Sequence, residues 1–160
     1  MISVIVVTKN EEDRIKACLE SVKWADEIVV YDNGSTDSTL EIAKKYTNKI
    51  FHYPGKVDYQ DLRNKAMEKT TSDWVLYLDA DERVLDGLKA ELIDISLNSE
   101  KAAFAISRKN IIFGQEVDYG PYKKDWMIRF FKKEKFKTWV GKVHEYATFD
   151  GELDYSKNSM

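Results

Sequence analysis

One cysteine, Cys18, in 160 residues excludes an internal disulfide and leaves no cysteine-rich metal site. The pattern fits a reducing compartment, and a cytoplasmic protein is the expectation. No run approaches the roughly 20 apolar residues needed to cross a bilayer. The opening "MISVIVVTKNEED" has neither the basic start nor the cleavage pattern of a secretory leader, and its apolar run is too short for one. Both prolines, Pro54 and Pro121, fall in expected turns rather than in a linker, and no repeat or low-complexity stretch interrupts the chain. With a net charge of -3 the sequence has no overall pull toward nucleic acid. Nor is there a glycine in "TKNEED", directly after the first apolar run. The glycine-rich turn that brings a pyrophosphate onto a helix N-terminus in NAD and FAD folds is therefore missing, as is the Gly-Lys-Ser/Thr signature of a P-loop.

What is present is enough apolar sequence, 43% of residues, for one sizeable core and not two. A single domain over 1–160 is expected, with an α/β part to residue 107 and a smaller β-rich part over 108–160. Ile2 to Val7 reads as a strand covered on both faces. Asn10 is placed to cap a helix burying Ile15, Cys18, Leu19 and Val22. A second strand is expected at Glu27 to Tyr31, then a helix after "NGSTDST" carrying Leu40, Ala43 and Tyr46 at helical spacing. Lys49 to Tyr53 reads as a short third strand, Asp58 as the start of a helix with Leu62 and Ala66, and Trp74 to Leu78 as the fourth strand. Leu88, Leu92 and Ile95 mark another helix before a strand at Ala102 to Ser107. Beyond 108, "IIFGQEV", "DWMIRFF" and "FKTWVGKVHEYATF" alternate like strands and hairpins, which predicts a small antiparallel layer over the crevice.

Strands alternating with helices make a mostly parallel sheet with helices on both faces, and such sheets bind ligands beyond the carboxyl ends of their strands. Three polar segments are expected there: "TKNEE", "DNGSTD" and "DADE". Asp79 and Asp81, two apart at a strand end, are expected to face one small volume, where like charges repel unless a cation lies between them. Oxygen ligands of this kind suit Mg2+ or Mn2+ shared with a bound phosphate; the alternative is that they turn the chain and cap the next helix. Asp32 ends a buried strand and opens on the same edge.

In order and spacing, "SVIVVTKNEE", "EIVVYDNGSTDST", "RNKAMEKTTSDWVLYLDADE" and "WVGKVHE" resemble the family 2 glycosyltransferases, most of all the branch of lipopolysaccharide-core β-1,4-glucosyltransferases, over nearly the whole chain. The resemblance implies the GT-A nucleotide-diphospho-sugar transferase fold, a divalent cation, and transfer with inversion of a hexose from a donor such as a UDP-sugar to a saccharide or glycolipid acceptor in cell-envelope glycan synthesis. By the same resemblance Thr8, Asn10 and Glu11 line the donor end of the first strand, Asp32 contacts the nucleoside, Arg63 and Asn64 form a donor-site element, and Asp79 and Asp81 are the Asp-x-Asp motif, with Asp81 the direct metal contact. Helix-surface packing for Asn64 and first-turn dipole compensation for Glu11 stay open as alternatives.

Glu145, in "KVHEY" at a position that the resemblance makes functional, is the candidate for the one carboxylate that deprotonates the incoming hydroxyl in an inverting transfer; a solvated surface carboxylate is the alternative. His144 is a candidate third metal ligand. The Gln-x-x-Arg-Trp element of processive synthases is absent, and so is the acidic doublet that usually supplies the base. Lysines and arginines interleave with aromatics over 122–142, either as a contact with anionic headgroups or a phosphorylated glycolipid at the inner face of the cytoplasmic membrane, or as a hairpin with buried aromatics. A nucleotide-sugar-binding domain without turnover, and a sugar nucleotidyltransferase, are the competing functions.

Overall fold

The computed structural model describes residues 1–53, 58–112, 114–117, 125–141 and 145–160. A seven-stranded sheet forms its centre. In chain order its strands are β1 (Ile2–Thr8), β2 (Glu27–Asp32), β3 (Ile50–His52), β4 (Trp74–Asp79), β5 (Ala103–Arg108), then β8 (Asp125–Lys132) and β11 (Leu153–Ser159). Two further sheets are antiparallel pairs: β6 (Asn110–Ile112) with β7 (Gln115–Val117), and β9 (Phe136–Val140) with β10 (Tyr146–Phe149). The helices are α1 (Ile15–Val22), α2 (Thr39–Ala43), α3 (Tyr59–Glu68) and α4 (Asp86–Asn98).

Spatial order in the main sheet is β11-β5-β8-β4-β1-β2-β3. The β3, β2, β1 and β4 strands are parallel, whereas β8 runs antiparallel between β4 and β5. Alternation along each strand divides the core in two. On one face Val4, Val6, Leu76 and Leu78 meet Ile15, Cys18, Leu19 and Val22 of α1 and Leu88, Leu92 and Ile95 of α4. On the other, Ile5, Val29, Val75 and Tyr77 meet Leu62, Ala66 and Met67 of α3 together with Trp139 and Ala147 of the β9–β10 hairpin. The four α1 residues expected to be buried are all fully buried.

One expectation is corrected. Asn10 does not cap α1: it sits at φ 53°, α1 starts only at Ile15, and the Glu11 carbonyl accepts the Ile15 N–H at 2.8 Å. Beyond residue 108 the described strands divide between two places: β8 and β11 complete the main sheet, and the antiparallel pairs β6–β7 and β9–β10 stand apart from it. An antiparallel strand returning from a distant part of the chain leaves no local mark of where it inserts.

Candidate functional site

Register brings three strand tips together. Thr8 pairs with Asp32 across β1 and β2, and Val7 pairs with Asp79 across β1 and β4, so Thr8, Asp32 and Asp79 share the carboxyl edge of the sheet as expected. Thr8 is buried, and its hydroxyl has no hydrogen-bond partner among the described residues.

The loops after β1 and β2 interlock. Asn10 accepts the Thr36 N–H at 2.8 Å through its side-chain oxygen and donates its own N–H to the Ser35 hydroxyl at 2.9 Å. Glu12 accepts the Ser38 N–H, and Asp37 accepts the Glu12 N–H in return. The Glu11 N–H donates to Thr39 Oγ1, while its carboxylate pairs with Arg14 at 3.1 Å ahead of α1, whose own first turn holds no acidic residue. Asp32 is fully buried, and its oxygens accept from the Gly34 and Ser35 N–H groups and, at 2.5 Å, from the Ser35 hydroxyl. Gly34, at φ 79°, takes the left-handed conformation that this tight wrap requires. His52 Nδ1 lies 3.3 Å from Asp32 Oδ2 at the rim. Asp32 thus organises its own turn, and the exposed His52 is the group beside it.

At the tip of β4 the geometry differs from two carboxylates facing one cation. Asp79 Oδ1 pairs with Arg63 at 3.1 Å and Oδ2 with Arg129 at 2.6 Å. Glu82 closes the turn by accepting the Asp79 N–H at 2.8 Å, and its other oxygen lies 3.3 Å from Arg129 and 3.4 Å from Arg108. Arg108 also pairs with Asp125. Burial would raise the Asp79 carboxyl, but the Arg129 and Arg63 guanidiniums outweigh it and hold the group below its ordinary value. For Glu82 burial dominates, reinforced by the Asp79 charge, and the carboxyl is pushed up against the pull of Arg129.

Arg129 is a site residue that the sequence reading assigned to a surface patch. It is 2% exposed. The β5–β8 register shifts at this point, with Phe104 opposite Phe130 but Ala105 opposite Ile128, so Arg129 is the extra residue of a bulge. Bulges re-aim side chains, and this one directs a guanidinium to Asp79. A signal existed: a cation inside the apolar run "MIRFF" has to be paired if that run is buried.

Asp81 lies outside β4, in the turn that follows. It is exposed, and its carboxylate takes part in no hydrogen bond or ion pair among the described residues. His144 lies outside the described residues, and among those described no three His, Cys, Asp or Glu side chains form a metal-holding group. Mg2+ is commonly held by one or two carboxylates plus substrate phosphates. Asp81 fits that role, whereas Asp79 would first have to release a guanidinium.

Arg63 and Asn64 sit side by side on α3 and reach different partners. Arg63 stacks over Trp139, 5.1 Å from the ring centroid, and its Nη1 is buried without a partner among the described residues. The Asn64 side-chain oxygen accepts from Trp139 N at 2.8 Å and Thr138 Oγ1 at 3.1 Å, and its amide donates to the Trp139 carbonyl at 3.1 Å. Asn64 is therefore a packing contact to β9. Glu145, half-buried, directly precedes β10. In the basic stretch Phe130, Phe131 and Trp139 are core residues, Trp126 and Phe136 are half-buried, and Lys133 donates to the Thr70 carbonyl. The burial of these aromatics matches the alternative reading of the stretch, but its strands form no hairpin with each other: β8 pairs with β4 and β5, and β9 pairs with β10. No helix among the described residues is long and apolar enough to cross a membrane.

The pattern of "Glycosyl transferase family 2" matches residues 3–150. An uncharacterized glycosyltransferase of Rickettsia typhi is 33% identical over 164 aligned residues, covering 96% of this chain and 55% of that protein. The lipopolysaccharide core biosynthesis glycosyltransferase LpsC of Rhizobium meliloti is 25% identical, covering 95% of this chain and 58% of its own length. Among solved structures, S. aureus TarS with UDP-GlcNAc is similar at 30% identity and a TM-score of 0.60, over 77% of this chain and 38% of that one. The TarS complex with UDP gives 25% identity and a TM-score of 0.63, over 82% and 46%. The chain spans about half the length of the relatives it matches from Rickettsia and Rhizobium. The GT-A fold expected from the motifs is borne out by these likenesses.

Proposed function

The chain belongs to glycosyl transferase family 2, and from that premise we propose that it transfers a hexose, with inversion, from a UDP-sugar to a saccharide or glycolipid acceptor in cell-envelope glycan synthesis. The observation that carries the reading is the shared edge of Thr8, Asp32 and Asp79, the place where a parallel sheet binds a nucleotide, in a chain similar to a protein solved with UDP and UDP-GlcNAc.

In this reading the interlocked loops 10–12 and 33–39 form the floor for the nucleoside, with the orphan Thr8 hydroxyl and the exposed His52, held beside Asp32, as polar groups available to it. Asp81 would hold a Mg2+ or Mn2+ ion against the diphosphate, where the cation offsets the charge that builds on the leaving phosphate. Glu145 removes the proton from the incoming hydroxyl as the new bond forms opposite the departing UDP. Arg63 and Arg129 hold Asp79 ionised at the start of the turn that bears Asp81.

A thermal-shift panel of UDP, GDP and their sugars, with and without Mn2+, tests the donor site. At a hundredfold excess over Kd, a UDP-sugar should raise Tm by roughly 5–10 °C. No shift with any nucleotide sugar would sink the reading. The second reading, a binding domain without turnover, is favoured by the double arginine engagement of Asp79. It predicts the same shift with neither hydrolysis nor transfer in any metal.

A further inference from the structure

Gln60 and Asn64 are one helical turn apart on α3, and both spend their side-chain amides on the backbone of one distant segment. Asn64 takes the Trp139 N–H and the Thr138 hydroxyl and donates to the Trp139 carbonyl, so one side chain satisfies both backbone groups of a single residue on β9. The Gln60 side-chain oxygen accepts the N–H of Gly141, the residue after β9, at 3.1 Å. Across the hairpin, Val140 pairs with Tyr146, Trp139 with Ala147 and Thr138 with Thr148, and the Thr148 hydroxyl donates to the Thr138 carbonyl at 2.9 Å. Glu145 is the residue next to that first pair.

The other end of this connection is the acidic strand tip. Arg63, between the two clamp residues, pairs with Asp79 and lies over the Trp139 ring, and the Tyr77 hydroxyl donates to the Arg63 carbonyl at 2.7 Å. One turn of α3 therefore touches both the β4 tip and the hairpin that leads to Glu145. Among the described residues neither hairpin strand pairs with the main sheet, and α3 supplies side-chain hydrogen bonds that tie β9 to the α/β half.

We propose that Gln60 and Asn64 are positioning residues: they hold the β9–β10 hairpin, and with it Glu145, at a set place relative to the Asp79 edge. The inference rests on the transferase reading for its catalytic consequence, but the clamp itself can be measured without turnover. Misplacing a reacting group by about 1 Å costs on the order of 10²-fold in rate, so the clamp should act on kcat and leave the donor site alone.

The experiment compares wild type with Asn64→Ala, Gln60→Ala and Gln60→Glu by hydrogen exchange, by calorimetry with UDP and Mn2+, and by hydrolysis of UDP-glucose and UDP-GlcNAc. Both alanine variants should raise amide exchange over 136–149 by about tenfold or more, with 74–79 unchanged and UDP affinity within about twofold of wild type. Their kcat should fall at constant donor KM, and Gln60→Glu, which keeps the acceptor for Gly141, should return both properties to wild type. Unchanged exchange over 136–149, or a loss of UDP affinity matching the loss of kcat, overturns the assignment; the second result would make Asn64 a donor-site residue. Should Asn64→Ala fail to fold, the Gln60 pair decides alone. If wild type neither binds UDP nor hydrolyses either sugar nucleotide, the transferase reading falls, while the exchange data still decide the clamp.

Discussion

Arg129 is a charge in a place that only pairing makes tolerable. Its guanidinium is buried against Asp79 and Glu82, and removing it leaves Asp79 paired with Arg63 alone and Glu82 paired with Arg108 alone. Arg129→Met should therefore cost about 1.5–3 kcal/mol of stability, the range for losing a hydrogen bond to a charged group, read from the shift of the urea midpoint. An unchanged midpoint would mean that the pair contributes nothing. Asp81 gives the opposite expectation. An exposed turn carboxylate without a partner adds little to the fold, so Asp81→Asn should leave the urea midpoint within about 0.5 kcal/mol and remove most Mn2+-dependent UDP affinity. Calorimetry showing unaltered Mn2+-dependent binding would take the metal role from Asp81. The residue types at the strand tips were legible because buried strands that end in carboxylates point to a ligand edge. Their partners were not, because Asp32 is satisfied by its own turn and Asp79 by arginines 16 and 50 residues away.

Among the elements, α1 and α4 were legible from apolar spacing alone, since a stripe at three and four residues has one way to be buried. Helix α2 is shorter than its pattern: it ends at Ala43, and Tyr46 instead gives its hydroxyl to Glu20 on α1 at 2.8 Å. At the amino ends of the strands a different device joins the elements. Glu27 opens β2, is buried, and accepts from the Ser3 hydroxyl on β1, from Lys49, and from both the N–H and hydroxyl of Thr71 before β4. Burial works to raise this carboxyl, but these donors together pull it from an ordinary 4.5 down to about 2. A depressed folded-state value means that the contribution is full above the unfolded value and is lost as pH falls toward the folded one. Glu27 should hence supply on the order of 3 kcal/mol at neutral pH, fading between about pH 5 and pH 2. Glu27→Gln should lower stability at pH 7 and flatten the acid limb of the stability curve. Parallel curves for the two proteins would show that Glu27 does not link these strands to pH.

For the whole molecule, the position of β8 decides whether there is one folding unit or two. The composition predicts a single domain, and the topology carries β8 and β11, from beyond residue 107, into the same sheet as β1 to β5. Between β4 and β5 the sheet has no direct pairing, because β8 fills the gap with Phe130 against Leu76 on one side and Phe104 on the other. Trp74 stacks on the Phe130 ring at 4.7 Å, and Met160, the last residue, packs in the same core as Val4 and Leu19. A fragment of residues 1–107 would keep the nucleotide-binding loops but expose the β4 edge, the β5 edge and the apolar surface that Phe130 and Phe131 cover, while leaving Asp79 without Arg129. Such a fragment should lack cooperative unfolding and bind a hydrophobic dye, whereas the full chain should unfold in one transition with coincident fluorescence and far-UV circular dichroism midpoints. Two separated transitions in the full chain, or a cooperatively folded 1–107 fragment, would show instead that the two parts fold as separate units. The expected single transition has a functional corollary: the Asp79 edge and the Glu145 hairpin then lie within one cooperative unit, because the arginine that fixes the first comes from the β-rich half, and the helix that clamps the second comes from the α/β half.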